Sequence, residues 1–287
     1  ASNNTAVGHN SLTANTTGAE NVAVGMTAMA VNTTGTDNTA LGVAALAANT
    51  TANSNTAIGR AALEVNTTGT QNTAVGASAL DANTTGDKNT AVGYNVLTAN
   101  TTGERNSSIG RGSLQTNSTG DYNTANGYNA LASNTTASSN TAVGYNALLA
   151  NTEGVQNVAV GYNALDANTT AHNNTAVGNE AMGTNTTGTQ NAAFGVAAMI
   201  LNTTGDFNTA CGGYALKSNT TADANTAVGW SALELCTTGQ YNTAVGFNAG
   251  DTLTTGQSNT VMGYETGHGL TDSESNAFFG MQAGYAA

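Results

Sequence analysis

Three histidines and two cysteines are the side chains of this 287-residue chain that are best suited to bind a metal or to act as nucleophiles. His9, His172 and His268 are widely separated, and Cys211 and Cys236 have no histidine beside them in the sequence. A zinc site or a nucleophile with its base needs several such groups close together. We therefore expect no catalytic residue, no cofactor, no bound metal and no enzymatic activity, and we expect both cysteines to be free thiols.

Asparagine and glycine are far more frequent, and both recur at a fixed spacing of 17 residues. The motif NTAVG begins at Asn4, and variants of it begin at every seventeenth residue as far as Asn276, without one insertion or deletion. The unit reads NTAVGYNALxANTTGxx, and its positions are numbered 1 to 17 from Asn4. Position 5 is Gly in all seventeen copies, from Gly8 to Gly280. An unbroken register gives every unit the same path and predicts a solenoid.

Aromatic rings recur at position 6, directly after the invariant glycine. Rings at equal spacing can stack on one another along the solenoid, and exposed rings can also contact a sugar or a receptor. We expect an outer row in which packing between rings is the main role and ligand contact is the alternative. The residues of this row are Tyr94, Tyr128, Tyr145, Tyr162, Trp230, Phe247 and Tyr264.

Asparagine recurs at position 12 from Asn15 to Asn219, as it does at position 1. Stacked amides can hydrogen bond from coil to coil and satisfy the backbone of the turns, which predicts an asparagine ladder. The same NTT triplets are acceptor sequons for glycosylation, and this is the alternative reading. The ladder at position 12 begins with Asn15, Asn32, Asn49, Asn66, Asn83 and Asn100.

Two short runs in each unit have β character, NTAVG and NALxA, and turn residues such as NTTG follow them. These features predict an all-β protein, a parallel β-solenoid or β-roll of seventeen coils with two strands each. Residues 1–287 are expected to form a single repeat solenoid without an internal boundary. The coils within 251–287 diverge, with Leu253 and Leu270 in place of the position 12 asparagine, and are expected to form a cap or a docking region.

Positions 3 and 4 are both apolar, and neighbouring residues of a strand point to opposite faces. One of the two rows must therefore face outward unless another chain covers it. We expect position 4, including Val7, Ile58, Val143 and Val228, to form the continuous buried stripe, and we expect the chains to associate as a parallel homotrimer. Asn126 interrupts this stripe. We expect it to meet its own counterparts on the trimer axis, or to hold a trapped ion or water there, and a local outward rotation of its strand is the alternative.

The composition excludes several classes of partner. The chain has 35 Gly and no Pro, only 8% of its residues are charged, and its net charge is −12. Nucleic acids and anionic membranes attract basic proteins, so neither is expected as a partner. The longest apolar runs, 43–48 and 196–201, are too short to cross a bilayer, so we expect no membrane insertion.

The motifs resemble those of known fibre proteins. Residues 276–285, NAFFGMQAGY, and residues 242–250, NTAVGFNAG, resemble the NTFIGYQAGYxNTTG repeats of bacteriophage tail fibres and bacterial tail-fibre-domain proteins. The NxAVGxxA pattern is similar to the head repeats of trimeric autotransporter adhesins. The resemblance implies a left-handed trimeric β-roll in an extracellular fibre shaft, on a virion or a bacterial surface. It also implies an adhesive role toward a cell-surface glycan or receptor, and contacts with other fibre or virion subunits.

Two other functions fit the repeat. Thr recurs at positions 2, 13 and 14, and a flat array of threonines is the surface of an ice-binding solenoid. Extended neighbours such as Thr16 and Thr17 should, however, point in opposite directions, which disfavours this function. The open edges of a solenoid can also pair end to end, which would make the chain a subunit of an extracellular filament.

Overall fold

Residues 1–285, described by a computed structural model, form an all-β parallel solenoid and contain no helix, so none that could cross a membrane. This confirms the predicted fold class. Each coil has one three-residue strand, at positions 2 to 4. The coils group into two compact units, 1–140 and 141 onwards. The first unit contains β1 Thr5–Val7, β2 Val22–Val24, β3 Thr39–Leu41, β4 Thr56–Ile58, β5 Thr73–Val75, β6 Thr90–Val92, β7 Ser107–Ile109 and β8 Thr124–Asn126. The second contains β9 Thr141–Val143, β10 Val158–Val160, β11 Thr175–Val177, β12 Ala192–Phe194, β13 Thr209–Cys211, β14 Thr226–Val228, β15 Thr243–Val245, β16 Thr260–Met262 and β17 Ala277–Phe279.

Within each unit the strands pair in parallel with the strand of the next coil, in the same register throughout. Ala6 lies opposite Ala23 in the first unit, and Ala142 lies opposite Ala159 in the second. Partners are always 17 residues apart, as the repeat predicts. The sheet of each unit therefore carries one row of like residues for every strand position.

The second predicted strand of each coil is absent, and this prediction is wrong. Positions 7 and 9 of the NALxA run adopt left-handed backbone conformations, as in Thr27 (φ 57°) and Met29 (φ 50°). A left-handed residue other than Gly costs roughly 1–2 kcal/mol. Each also turns its N–H toward a neighbouring coil: that of Thr27 donates to His9 O at 2.9 Å, and that of Met29 donates to Ala45 O at 3.0 Å. These bonds, with burial of the position 9 side chain, offset the strain.

The invariant glycine of position 5 is required by its backbone and by its neighbour. Gly25 has a φ of 139°, and a Cβ there would lie 2.3 Å from the carbonyl oxygen of Gly42 in the next coil. A residue with a side chain would be strained by this φ and would also have to displace the neighbouring carbonyl. Position 15 differs, because Gly35 has no positive φ and Ala52 occupies the same place one coil later. This agrees with the presence of Ala in several copies.

The interior of each coil is filled from positions 1, 3, 8, 9 and 12. Ala23, Ala28 and Met29 are fully buried, and the largest buried side chains are the Leu and Met residues of position 9. Position 9 faces position 3 across the interior, since a Cβ on Gly250 would lie 4.0 Å from the Cβ of Ala244. A large residue at position 9 therefore leaves room only for a small one at position 3.

This packing reverses the predicted faces of the strand. Position 3 is inside, and position 4, expected to form the buried stripe, points outward from its own coil. Val7 is 58% exposed, Ile58 36% and Val228 37%, and Val143 is half-buried. The larger side chain is on the outside because the interior opposite position 9 admits little more than a methyl group.

The divergent coils after residue 250 keep the fold by exchanging large and small residues. Val261 and Phe278 replace the alanine of position 3, and Gly267 and Gly284 replace the leucine of position 9. A Cβ on Gly284 would lie 2.8 Å from Phe278 Cδ2, so the larger ring fills the space that Leu fills elsewhere. Residues 286 and 287 of the predicted cap or docking region lie outside the described residues.

Candidate functional site

The outward face of the strands carries two parallel rows of side chains, and we call it the Thr-x-Val face. Position 2 contributes mostly threonine, and hydroxyls such as those of Thr39, Thr56 and Thr73 donate no hydrogen bond within residues 1–285. Position 4 contributes mostly apolar side chains, of which about half are exposed, such as Leu41 at 47% and Ile109 at 43%, and the others are half-buried, such as Val75. The face therefore offers a row of hydroxyl groups beside an apolar row.

Two residues of position 4 differ chemically from their neighbours on this face. Asn126 is exposed in β8, and its strand neighbour in β7 is Ile109. Cys211 is an exposed free thiol in β13, between Phe194 and Val228 of the adjacent strands. The amide of Asn126 is thus on the outer face of its own coil.

The position 6 residues lie at the edge of this face, just beyond the invariant glycine. Tyr145 and Tyr162 stack with centroids 5.4 Å apart at 10°, and Phe247 and Tyr264 stack at 5.6 Å and 9°. Stacked rings cover one another's faces and present mainly their edges to solvent. The seven predicted residues are all exposed, namely Tyr94 53%, Tyr128 37%, Tyr145 47%, Tyr162 49%, Trp230 50%, Phe247 45% and Tyr264 48%.

Arginine takes part in the same row in the first unit. The guanidinium of Arg111, itself at position 6, lies 5.9 Å from the ring centroid of Tyr94 and 5.7 Å from that of Tyr128. A cation between two ring faces is attracted to both. Packing along the row therefore accounts for these rings, and it leaves few free ring faces for a ligand.

Trp230 departs from this pattern. Its six-membered ring lies over Gly213 of the preceding coil, where an added Cβ would be 2.6 Å from Cζ3. Its ring meets that of Tyr214 edge-on, with centroids 5.1 Å apart at 81°. By its position in the repeat, Trp230 belongs to the row with the other rings. The signal that distinguishes it is Gly213, the one glycine found at position 6.

The asparagines of position 12 form a hydrogen-bonded ladder. Asn32 Nδ2 donates to Asn15 Oδ1 at 3.1 Å and to the carbonyl of Gly35 at 3.1 Å, and Asn49 Nδ2 donates to Asn32 Oδ1 at 2.8 Å. The same coil-to-coil contacts recur at Asn66, Asn83 and Asn100. Each amide thus joins two coils and closes its own turn.

A second ladder runs along position 1. The backbone N–H of Asn38 donates to Asn21 Oδ1 at 3.0 Å, and Asn38 Nδ2 donates to the carbonyl of Ala52 at 2.8 Å. From Asn32 onward the amides of the position 12 ladder are fully buried. The acceptor nitrogen of an NTT sequon is therefore enclosed in the folded chain, which favours the architectural role over glycosylation.

The histidines and cysteines are not brought together. His9 is exposed, His172 Nδ1 accepts a hydrogen bond from the Val155 N–H at 3.0 Å, and His268 Nδ1 lies 2.9 Å from Asp251 Oδ1. Within residues 1–285 no three His, Cys, Asp or Glu residues are grouped so that they could hold a metal.

The two thiols differ in environment. Cys236 is buried in place of a ladder asparagine, and its thiol lies 3.3 Å from the carbonyl oxygen of Gly239. Burial raises the pKa of Cys236 to about 11, so the group is a protonated thiol near neutral pH. Cys211 is exposed and accessible to reagents.

An open cleft of about 400 Å³ lies in the second unit, above Gly183, and was not expected from the sequence. Asp166, Glu180 and Ile200 line it. Burial raises the pKa of Asp166, and the charge of Glu180 raises it further. Gly183 is the one glycine at position 10, and its missing side chain opens the cleft. Two neighbouring carboxyl groups without a cation or a further ligand group do not define a binding site.

No family model matches this chain, and no curated protein and no solved structure has a significant match to it. The resemblance to tail-fibre and adhesin repeats thus stays a prediction that rests on the repeat motif.

Proposed function

We propose that this protein is a non-enzymatic, extracellular fibre shaft that associates as a parallel homotrimer and has an adhesive role on a virion or bacterial surface. The observation that carries the proposal is the exposed apolar row of the Thr-x-Val face. A soluble surface rarely keeps a long contiguous apolar row free, and such rows are typical of interfaces. Other fibre or virion subunits, and a cell-surface glycan or receptor, are the further partners that this role implies.

The repeat makes a second copy of the chain the best-matched cover for this row. Two copies aligned in parallel have the same coil spacing. The position 4 residue of each coil therefore meets the position 4 residue of the matching coil in the other copy. Full burial of a Val or Leu side chain corresponds to roughly 60–120 Å². With about half of its apolar residues exposed and the others half-buried, the row offers on the order of 500 Å² per chain, against about 800 Å² per partner in a standard interface. The flanking threonines must therefore contribute as well.

Cys211 supplies a native test of this arrangement. In a parallel, in-register assembly through the Thr-x-Val face, the Cys211 thiols of different copies lie near one another. Mild oxidation should then give disulfide-linked dimers that vanish in Cys211→Ser. Cys236 is the internal control, because its buried and protonated thiol should stay unmodified until the chain unfolds.

Light scattering on the same sample gives the number of chains. A trimeric mass together with cross-linking through Cys211 supports the proposal. A monomeric mass without cross-linking contradicts it. A mass that grows with protein concentration beyond a trimer would indicate the end-to-end filament instead.

Ice binding is a second candidate, and one observation favours it more than the sequence did. The half-buried threonine row lies on the same sheet face as the apolar row, at equal spacing, so a regular Thr-x-Val array is present. The face cannot be covered by another chain and bind ice at once. Thermal hysteresis in a monomeric sample would support ice binding, and its absence in a trimeric sample would support the shaft.

A further inference from the structure

Trp230 has a ring that is positioned differently from every stacked ring of position 6. One side of its six-membered ring is against Gly213, while 50% of the residue is exposed. The exposed half therefore includes the opposite side of the indole. In the stacked pair Phe247 and Tyr264 the rings cover each other instead. Trp230 thus forms a flat platform on the surface of the coil.

Polar groups lie beside Tyr214, the ring that meets Trp230 edge-on. The Nζ of Lys217 lies 5.2 Å from the ring centroid of Tyr214, and it forms an ion pair with Glu234 Oε1 at 3.1 Å. Both charged side chains remain partly exposed, 40% and 27% respectively. Donors and acceptors are thus available beside the aromatic surface without being enclosed in the core.

The chemistry of this cluster selects the class of ligand. The negative face of an aromatic ring attracts C–H groups, which are grouped on one side of a pyranose ring, while the hydroxyls at the sugar's edge need polar partners. The charge of Lys217 is already matched by Glu234, and the chain carries a net charge of −12. Both facts disfavour an anionic sugar.

We propose that Trp230, with Tyr214, Lys217 and Glu234, forms a binding site for a neutral hexopyranose. The sugar stacks on the exposed side of the indole, and the ion pair hydrogen bonds its hydroxyl groups. This site rests on the adhesive role proposed above and names the class of its ligand. Gly213 is a positioning residue, because its lack of a side chain lets the indole lie flat.

Trp230 is the single tryptophan of the chain, so its fluorescence reports on this site alone. The full-length protein is titrated with methyl β-galactopyranoside, methyl β-glucopyranoside and methyl α-mannopyranoside. We expect a saturable change with at least one of them, with a dissociation constant on the order of 1 mM, the range typical of a ligand of about 13 heavy atoms. N-acetylneuraminic acid should bind more weakly than the best neutral sugar.

Two variants separate a specific site from general quenching. Gly213→Ala keeps the tryptophan but pushes its ring off the coil, and should weaken binding about tenfold. Tyr162→Leu, in the stacked row, should leave the affinity unchanged. Equal affinities of wild type and Gly213→Ala, or no saturable change with any of the three glycosides, would overturn the site.

The same samples are examined by Cys211 cross-linking and light scattering. A cross-linked trimer that binds no sugar would contradict the proposed sugar site but support the proposed fibre shaft. A monomer that binds sugar would contradict the fibre shaft but support the sugar site.

Discussion

Asparagine acts inside this solenoid as a structural residue rather than a surface one. The amides of positions 1 and 12 are buried with their polar atoms bonded to the next coil, as between Asn49 and Asn32 or Asn38 and Asn21. A buried amide that kept no partner would cost a few kcal/mol. The repeat length gives the amides of both positions the same partner in the next coil. The exception is Asn219, whose buried Oδ1 has no hydrogen-bond partner within residues 1–285 because Cys236 replaces the asparagine of the next coil.

One buried polar pair allows the cost of a missing hydrogen-bond partner to be measured. Ser108 and Ser113 replace the alanines of positions 3 and 8, with their Oγ atoms 2.6 Å apart, and Ser113 Oγ also donates to the carbonyl of Gly110 at 2.9 Å. Ser113→Ala leaves the Ser108 hydroxyl without a partner and should destabilise the protein by about 1–3 kcal/mol. Ser108→Ala should cost less, because Ser113 keeps its bond to Gly110.

The double variant restores the alanine pair of ordinary coils and should unfold near the wild-type temperature. Thermal unfolding of the three variants completes the cycle. Equal losses for both single variants, adding up in the double, would show that the hydroxyls do not depend on each other.

At the scale of the coil, the repeat predicts the strand and the ladders, but it does not predict the conformation of the NALxA half of each unit. The period, the parallel register and the asparagine contacts follow from the sequence, because like residues 17 apart must occupy like places. The NALxA turn does not, because a left-handed Leu or Met is unfavourable alone and is stabilised only by bonds to neighbouring coils, such as Met29 N–H to Ala45 O. The faces of positions 3 and 4 do not follow from the sequence either, because the size of the side chain at position 3 is limited by its contact with position 9 across the coil.

The exchange of large and small residues in the terminal coils gives a test of this packing. A Cβ on Gly267 would lie 2.9 Å from Val261 Cγ1 and 3.1 Å from Leu270 Cδ1. Gly267→Leu should therefore overpack the coil and cost about 1–3 kcal/mol. Val261→Ala alone should leave a cavity and also destabilise.

The double variant Val261→Ala, Gly267→Leu recreates the ordinary combination, as in Ala227 with Leu233, and should recover most of the loss. Leu270 remains in place, so recovery is expected to be incomplete. Denaturant unfolding measures the coupling between the two sites. Purely additive losses would contradict the contact between positions 3 and 9.

At the scale of the whole molecule, the decisive question is what covers the Thr-x-Val face. Within one chain the apolar row of position 4 lies on the outside of the coil, whereas in a parallel trimer it would lie at the shared axis. Both placements are true if the apolar row forms the interface between copies of the chain. The sequence alone does not distinguish burial inside a coil from burial between chains, because both environments favour apolar residues.

Asn126 distinguishes them. In a single chain this side chain is exposed, so Asn126→Val should change stability by less than about 0.5 kcal/mol. On the axis of a trimer the amide is desolvated, and the same change should raise the melting temperature. Thr119→Val, at an exposed position, is the matched control and should have no effect in either case. An unchanged melting temperature for both variants would refute the axial placement of Asn126.

The repetition of the same strand, amide and glycine contacts from coil to coil also bears on how such a chain can change. If residues 55–71 were lost, Asn72 would take the place of Asn55 against Asn38, and the strand, both amide ladders and the glycine approach would be rejoined without a mismatch. Loss of one residue fewer would turn the following side chains to the wrong face. Gene duplication and deletion should therefore alter this protein in whole coils, so that its length evolves in discrete steps while the fold remains constant.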